Sequence, residues 1–210
     1  MTVMAKRLFD VLLSSIGLLL LMPLLGLIAL CVKLDSPGPV MFRQERVGRF
    51  GQPFRIHKFR TMRHVANVVD AVSGQPSQGL QITVGADRRI TRVGHFLRAS
   101  KLDELPQLLD VWLGDMSLVG PRPEVPRYVA HYPAALREKV LSVRPGITDI
   151  ASIEYRDESS VLARASDPEQ AYIHEVLPHK LALAAQYVDQ SSLWLDVRLI
   201  ARTVLAIVGR

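Results

Sequence analysis

From Val11 to Val32 the chain reads VLLSSIGLLLLMPLLGLIALCV, without one charged residue. As a helix rising about 1.5 Å per residue, that run is about 33 Å long, enough to reach across a hydrocarbon layer about 30 Å thick. Core helices of water-soluble domains rarely avoid charge for so long. A cleaved leader would also place Lys6 and Arg7 before an apolar run, but this run is long for one and shows no clear small-x-small cleavage site. The segment is therefore read as one that sees lipid.

Two features bear on how it enters the membrane. Pro23 removes a backbone donor in mid-run and clashes with the preceding turn, so a bend or break is expected there. Basic residues flank both ends, Lys6 and Arg7 on one side and Lys33, Arg43, Arg46 and Arg49 on the other, and the positive-inside tendency then places both ends on the same face. A re-entrant helix that bends at Pro23 satisfies both observations, and a straight span is the alternative. Residues 1–34 form this element and residues 35–210 one further domain, with no internal repeat or second boundary.

The net charge of +6 suits anionic partners: acidic headgroups, nucleic acid or phosphate-bearing substrates. The single cysteine, Cys31, excludes an internal disulfide. After the turn LDSPGPV, the stretch VMFRQERVGRFGQPFRIHKFRTM predicts a basic β-hairpin turning at Gly51 and Pro53. Residues 66–86 lack periodicity and read as a loop. Ser100 is placed as the cap of a helix carrying Leu102, Leu105, Leu109, Trp112 and Leu113 at helical spacing, with Pro106 tolerable only near its start. Helical patterns resume near Pro168. The last one, from Leu193 to Val208, is amphipathic and suits either packing on the domain or lying on a membrane surface. The fold class is α+β, mainly helical.

That reading puts two adjacent acids, Asp103 and Glu104, in a first helical turn. Acids there commonly just complement the helix dipole. Neighbours on a helix point about 100° apart, so the pair suits two different tasks at one place better than a shared proton. A glycoside hydrolase needs its carboxylates across a bond at about 5 Å or more, which such neighbours do not readily provide. Lys58, Arg60, Arg98 and Arg122 lie in segments able to converge on the pair, and guanidinium groups match phosphate oxygens in two-point contacts. Arg122 stands between Pro121 and Pro123, which restrict its backbone. Several basic residues with two acids fit phosphoryl transfer aided by a carboxylate-held divalent cation. No P-loop, dinucleotide fingerprint, nucleophile elbow or histidine ligand pair occurs.

The segments KRLFD, HKFRTM, LRASKLDELPQL, GDMSLVGPRP and VRPGIT, in this order, resemble the bacterial sugar transferases, specifically the small monotopic phosphoglycosyl transferases, over nearly the whole chain. The resemblance implies a re-entrant membrane helix on the cytoplasmic face of the bacterial inner membrane and a small catalytic domain of helices with a β-hairpin. It implies transfer of a sugar 1-phosphate from a UDP-sugar to polyprenyl (undecaprenyl) phosphate, with release of UMP, as the first membrane step of exopolysaccharide, O-antigen or glycoprotein-glycan synthesis. By the same resemblance Asp103 is the nucleophile that forms a phosphosugar-aspartyl intermediate, and Glu104 is the expected Mg²⁺ ligand. Lys58, Arg98 and Arg122 are phosphate contacts, and Asp196 is a further site candidate, as is Arg144 of the VRPGIT segment. Met22 precedes Pro23 where many relatives carry serine, and DIAS follows VRPGIT where many carry Gly-Trp-Ala-Gln. A membrane-anchored basic protein binding acidic lipid or nucleic acid without chemistry is the rival reading. It leaves the Asp103 and Glu104 pair unexplained, and no nucleic-acid partner is expected.

Overall fold

The computed structural model describes residues 3–63, 87, 89–154 and 162–208; the loop expected at 66–86 lies outside them. Helix α1 runs Val3–Asp35 as a single helix with Pro23 inside it. Of the bend or break expected at Pro23, the break is not found: proline removes one donor, and the helix continues on the bonds either side. Strands β1 (Met41–Val47) and β2 (Pro53–Phe59) form the antiparallel hairpin, with Phe42 opposite Lys58. Phe50 takes φ +58° in the 3₁₀ turn Arg49–Gly51 that joins them. Helix α2 (Arg92–Ser100), a 3₁₀ turn (Leu102–Glu104) and α3 (Gln107–Leu113) follow. Two short parallel strands, β3 (Ser117–Val119) and β4 (Gly146–Thr148), bracket α4 (Pro126–Val129) and α5 (Ala134–Leu141). Then come α6 (Ile150–Glu154), α7 (Pro168–Ala171), a π turn (Tyr172–Val176), α8 (Leu177–Gln190) and α9 (Leu193–Val208).

Helix α1 lies along the domain. Asp10 accepts the Ser117 hydroxyl and the Leu118 N–H, both at 3.1 Å. A Cβ on Gly17 would sit 3.3 Å from Leu108 of α3. Further on, Ile28 and Val32 are buried with Phe59 and Leu97, and Leu24, Leu25 and Ala29 pack beside them. Residues 10, 14, 17, 24, 28 and 32 recur at helical spacing, so one face of α1 meets the domain. The other face is bare: Leu8, Leu12, Leu19, Leu20, Met22, Leu27, Leu30 and Leu34 are exposed. In its most apolar window only 11% of the residues are buried, whereas a core helix would be mostly buried.

Polar side chains lock both ends of α1. Lys6 donates to Asp196 at 2.7 Å, and Arg7 caps α3 by donating to the carbonyls of Val111 and Trp112. At the other end the buried Arg60 donates to the carbonyls of Val32, Ser36 and Pro37 and to the Ser36 hydroxyl. The last carbonyls of a helix have no intrahelical partner, and a guanidinium with five donors answers several at once. Helix α9 packs on the domain with one face and leaves an apolar face exposed. Leu199 is buried and Leu195 and Ile200 pack beside it, while Trp194, Val197, Val204 and Leu205 are exposed.

Candidate active site

The Asp103 and Glu104 pair does not open a helix capped by Ser100. Ser100 is the last residue of α2, and its hydroxyl donates back to the Phe96 and Leu97 carbonyls. Lys101 then turns left-handed (φ +59°), and residues 102–104 form the 3₁₀ turn, with Glu104 N–H donating to the Lys101 carbonyl. The expected single helix fails at Lys101, because a left-handed residue ends α2. Pro106 then stands just before Gln107, the first residue of α3, where its missing donor costs nothing. Leu102 and Leu105 flank the acids and pack beside the Ile28 and Val32 cluster, so the turn rests on the C-terminal half of α1.

Both carboxylates are buried, Asp103 at 7% exposure and Glu104 at 8%. Lys58 reaches Glu104 Oε1 at 2.7 Å and Asp103 Oδ2 at 3.9 Å, and Arg122 donates to the same Glu104 oxygen at 2.8 Å. The two acids are therefore in different electrical states. Burial opposes ionisation of Glu104, but Arg122 and then Lys58 outweigh it and hold its carboxyl well below the usual range. At Asp103 burial wins: it raises the carboxyl, Lys58 pulls it down, the Glu104 charge raises it further, and Arg98 and Lys101 lower it. Asp103 Oδ1 is buried with no hydrogen-bond partner. An orphaned carboxylate oxygen is costly, and beside a buried charge cluster it marks a place for a ligand.

The framework behind the cluster is precise. His57, next to Lys58, gives its backbone N–H to Asp110 Oδ2 at 2.9 Å and its Nδ1 to Asp110 Oδ1, which ties β2 to α3. Arg122 follows Gly120, whose N–H donates to the Thr148 carbonyl across the β3–β4 pair. A Cβ on Gly146 would overlap the Gly120 nitrogen, so only glycine lets these strands approach so closely. Arg46 donates to the Pro123 carbonyl and Val47 N–H to the Glu124 carbonyl, holding the Gly-Pro-Arg-Pro turn to the hairpin.

Lys58 and Arg122 therefore meet at Glu104 as the sequence led one to expect, and Arg98 is near enough to act on Asp103. Arg60 does not belong with them. The residue is 4% exposed and both terminal nitrogens donate at the end of α1, so the expectation that they bind phosphate beside the pair is corrected. Arg144 donates through Nε to the Gly114 carbonyl at 2.7 Å, closing the turn after α3. Asp196, fully buried, accepts from Lys6 and from the Tyr187 hydroxyl, which places it in the α1 lock instead of against the pair. Sequence reasoning missed Asp10, Asp110 and Arg46. For Asp10 a signal existed, since it ends the KRLFD segment. For Asp110 and Arg46 nothing distinguished them from surface charges.

Among the described residues no group of three or more His, Cys, Asp or Glu side chains is arranged to enclose a metal. The pair supplies two adjacent carboxylates with cations on one side and a free oxygen on the other.

The family described as Bacterial sugar transferase matches residues 1–210. A UDP-glucose:undecaprenyl-phosphate glucose-1-phosphate transferase of Escherichia coli (strain K12) is 39% identical over 95% of this chain, which spans 39% of that protein. The protein of the same description in Caulobacter vibrioides is also 39% identical over 95% of the chain, here spanning 68% of the relative. The exopolysaccharide production protein PSS of Rhizobium leguminosarum bv. phaseoli is 35% identical over 98% of this chain and 96% of its own length. This chain belongs to the bacterial sugar transferase family.

Proposed function

We propose that the protein transfers a sugar 1-phosphate from a UDP-sugar to undecaprenyl phosphate, releasing UMP. The observation that carries the reading is the unequal pair: one buried carboxylate with a bare oxygen beside another neutralised by two cations. Asp103 attacks the β-phosphorus of the nucleotide sugar. The bond from that phosphorus to the bridging oxygen breaks, UMP leaves with the electron pair, and a phosphosugar-aspartyl intermediate remains. An oxygen of undecaprenyl phosphate then attacks the same phosphorus, and the aspartyl bond breaks to return the carboxylate. Burial favours this chemistry by making Asp103 a stronger base than a solvated aspartate.

Lys58, Arg98 and Arg122 set an excess of positive charge around two acids, a surface suited to the diphosphate and to the charge that shifts during transfer. The residues fit Mg²⁺, which commonly takes one or two carboxylates and completes its shell with water and substrate phosphate. Glu104, held ionised, and the free oxygen of Asp103 are the groups that would hold it. When bound, the ion would spread the charge of the diphosphate.

The lipid acceptor fits the placement of the site. The turn that carries the pair rests on α1, whose outer face is apolar, so a phosphate at the membrane surface lies next to the nucleophile. Helix α1 touches the domain near both ends, a contact that favours placing both ends on one face of the membrane. This supports the re-entrant, monotopic arrangement, on the cytoplasmic face of the bacterial inner membrane where UDP-sugars are available. The step would open synthesis of an exopolysaccharide or related glycoconjugate. A non-catalytic basic anchor gives no reason for the unequal pair. Purified protein with Mg²⁺, undecaprenyl phosphate and a panel of UDP-sugars should release UMP from at least one donor, and release from none would overturn the reaction.

A further inference from the structure

Within residues 103–107 two buried side-chain atoms have no hydrogen-bond partner, and the proposed chemistry uses only one of them. Asp103 Oδ1 is an acceptor; the other atom, Nε2 of Gln107, is a donor. From Leu102 to Leu109 the chain is a run of helical turns, in which the N–H of Leu105 donates to the Leu102 carbonyl, that of Leu108 to Leu105 and that of Leu109 to Pro106. Leu102, Leu105 and Leu108 form the side that meets α1. The buried side carries Asp103, Glu104, Gln107, Asp110 and Val111, at the three- and four-residue spacing of one helical face.

Gln107 lies in the middle of that face. One turn before it Glu104 accepts Lys58, and one turn after it Asp110 accepts the N–H of His57, so consecutive residues of β2 grip the helix on either side of the glutamine. Side chains on a helix lean back over the preceding turn, which here is the turn of Asp103 and Glu104. The glutamine is 2% exposed, yet its amide nitrogen donates to neither acid. A buried donor without a partner destabilises the fold that holds it, and beside a reacting carboxylate it points to an acceptor brought by the substrate. A cation at Asp103 Oδ1 cannot meet that need, because an N–H requires an acceptor. Resting on the transferase reading above, we infer that Gln107 is a further catalytic residue, whose Nε2 donates a hydrogen bond to a non-bridging oxygen of the phosphoryl group under attack by Asp103. The amide keeps its proton throughout. As the bond from Asp103 to phosphorus forms and the bond to the UMP oxygen breaks, this donor is already in place for the charge that shifts on the phosphoryl oxygens.

Gln107→Met keeps the length of the side chain and removes the donor. If the amide served only the fold, its loss would lower stability. Removal of an unsatisfied buried donor should instead leave the melting temperature of the substrate-free full chain in detergent micelles at or above that of wild type. The single-turnover rate of phosphosugar adduct formation, from a UDP-sugar that the wild type uses, should fall about 10²-fold. The loss should appear in kcat, with KM for the donor within about threefold of wild type. Gln107→Leu repeats both measurements with a different apolar shape. Melting well below wild type in both variants, a loss carried by KM alone, or adduct formation within about threefold of wild type would overturn the assignment while leaving the reaction standing. A wild type that forms no adduct, or releases UMP from no donor, would overturn the transferase reading and the assignment with it.

Discussion

Adjacent residues of one 3₁₀ turn have opposite shifts, and each shift has a consequence in solution. Glu104 has its folded value depressed below an unfolded value of about 4.3. Its contribution to stability is thus complete above that value and is lost as pH falls through the lower folded one. Glu104→Gln should flatten the acid limb of a stability-versus-pH curve below about pH 4.3, and should lower stability at pH 7 by leaving Lys58 and Arg122 without their shared carboxylate. A denaturation series at several pH values checks both. Asp103 runs the other way: in its proposed role as nucleophile it must be ionised, so adduct formation should fall as pH drops through a value above the usual 3.8. Intact mass measurement after a single turnover should show a phosphosugar adduct in the wild type and none in Asp103→Asn.

Among the elements, the apolar helix, the hairpin, the helical resumption at Pro168 and the amphipathic last helix were legible because each rests on periodicity or turn chemistry within a short window. What was not legible depended on partners far along the chain. Ser100 next to a leucine-rich stretch has the pattern of a cap, and only the left-handed Lys101 splits that stretch into two elements. Arg60 looks like one more phosphate ligand in a basic hairpin until Val32, Ser36 and Pro37 are seen around it. Nothing local marks Asp110 as the clamp on His57, since their separation is 53 residues. The capping role predicts that Arg60→Ala loses about 2–4 kcal/mol, through buried carbonyls left without donors. Chemical denaturation measures this loss. Wild-type Mg²⁺ dependence of whatever activity survives would separate a cap from a substrate ligand.

At the scale of the whole molecule, α1 meets one domain near both of its ends, and that arrangement limits how the protein can sit in a bilayer. In a Cys31→Ser background, single cysteines replacing the exposed Met4 and Phe50 should react with a membrane-impermeant maleimide from the same side of sealed vesicles. Reaction from opposite sides would establish a spanning helix. Exposed Phe96, Trp112 and Trp194 add amphipathic bulk on α2, α3 and α9. High salt should therefore fail to strip the protein from vesicles despite its net charge of +6, because apolar contact is not screened.

The lock between Lys6 and Asp196 joins residues 190 positions apart. During translation at about 5–20 residues per second, the first helix waits about 10–40 s before its partner acid is made. Until then the start of α1 lacks its ion-pair partner, so this contact forms late and closes the structure by neutralising a lysine made long before.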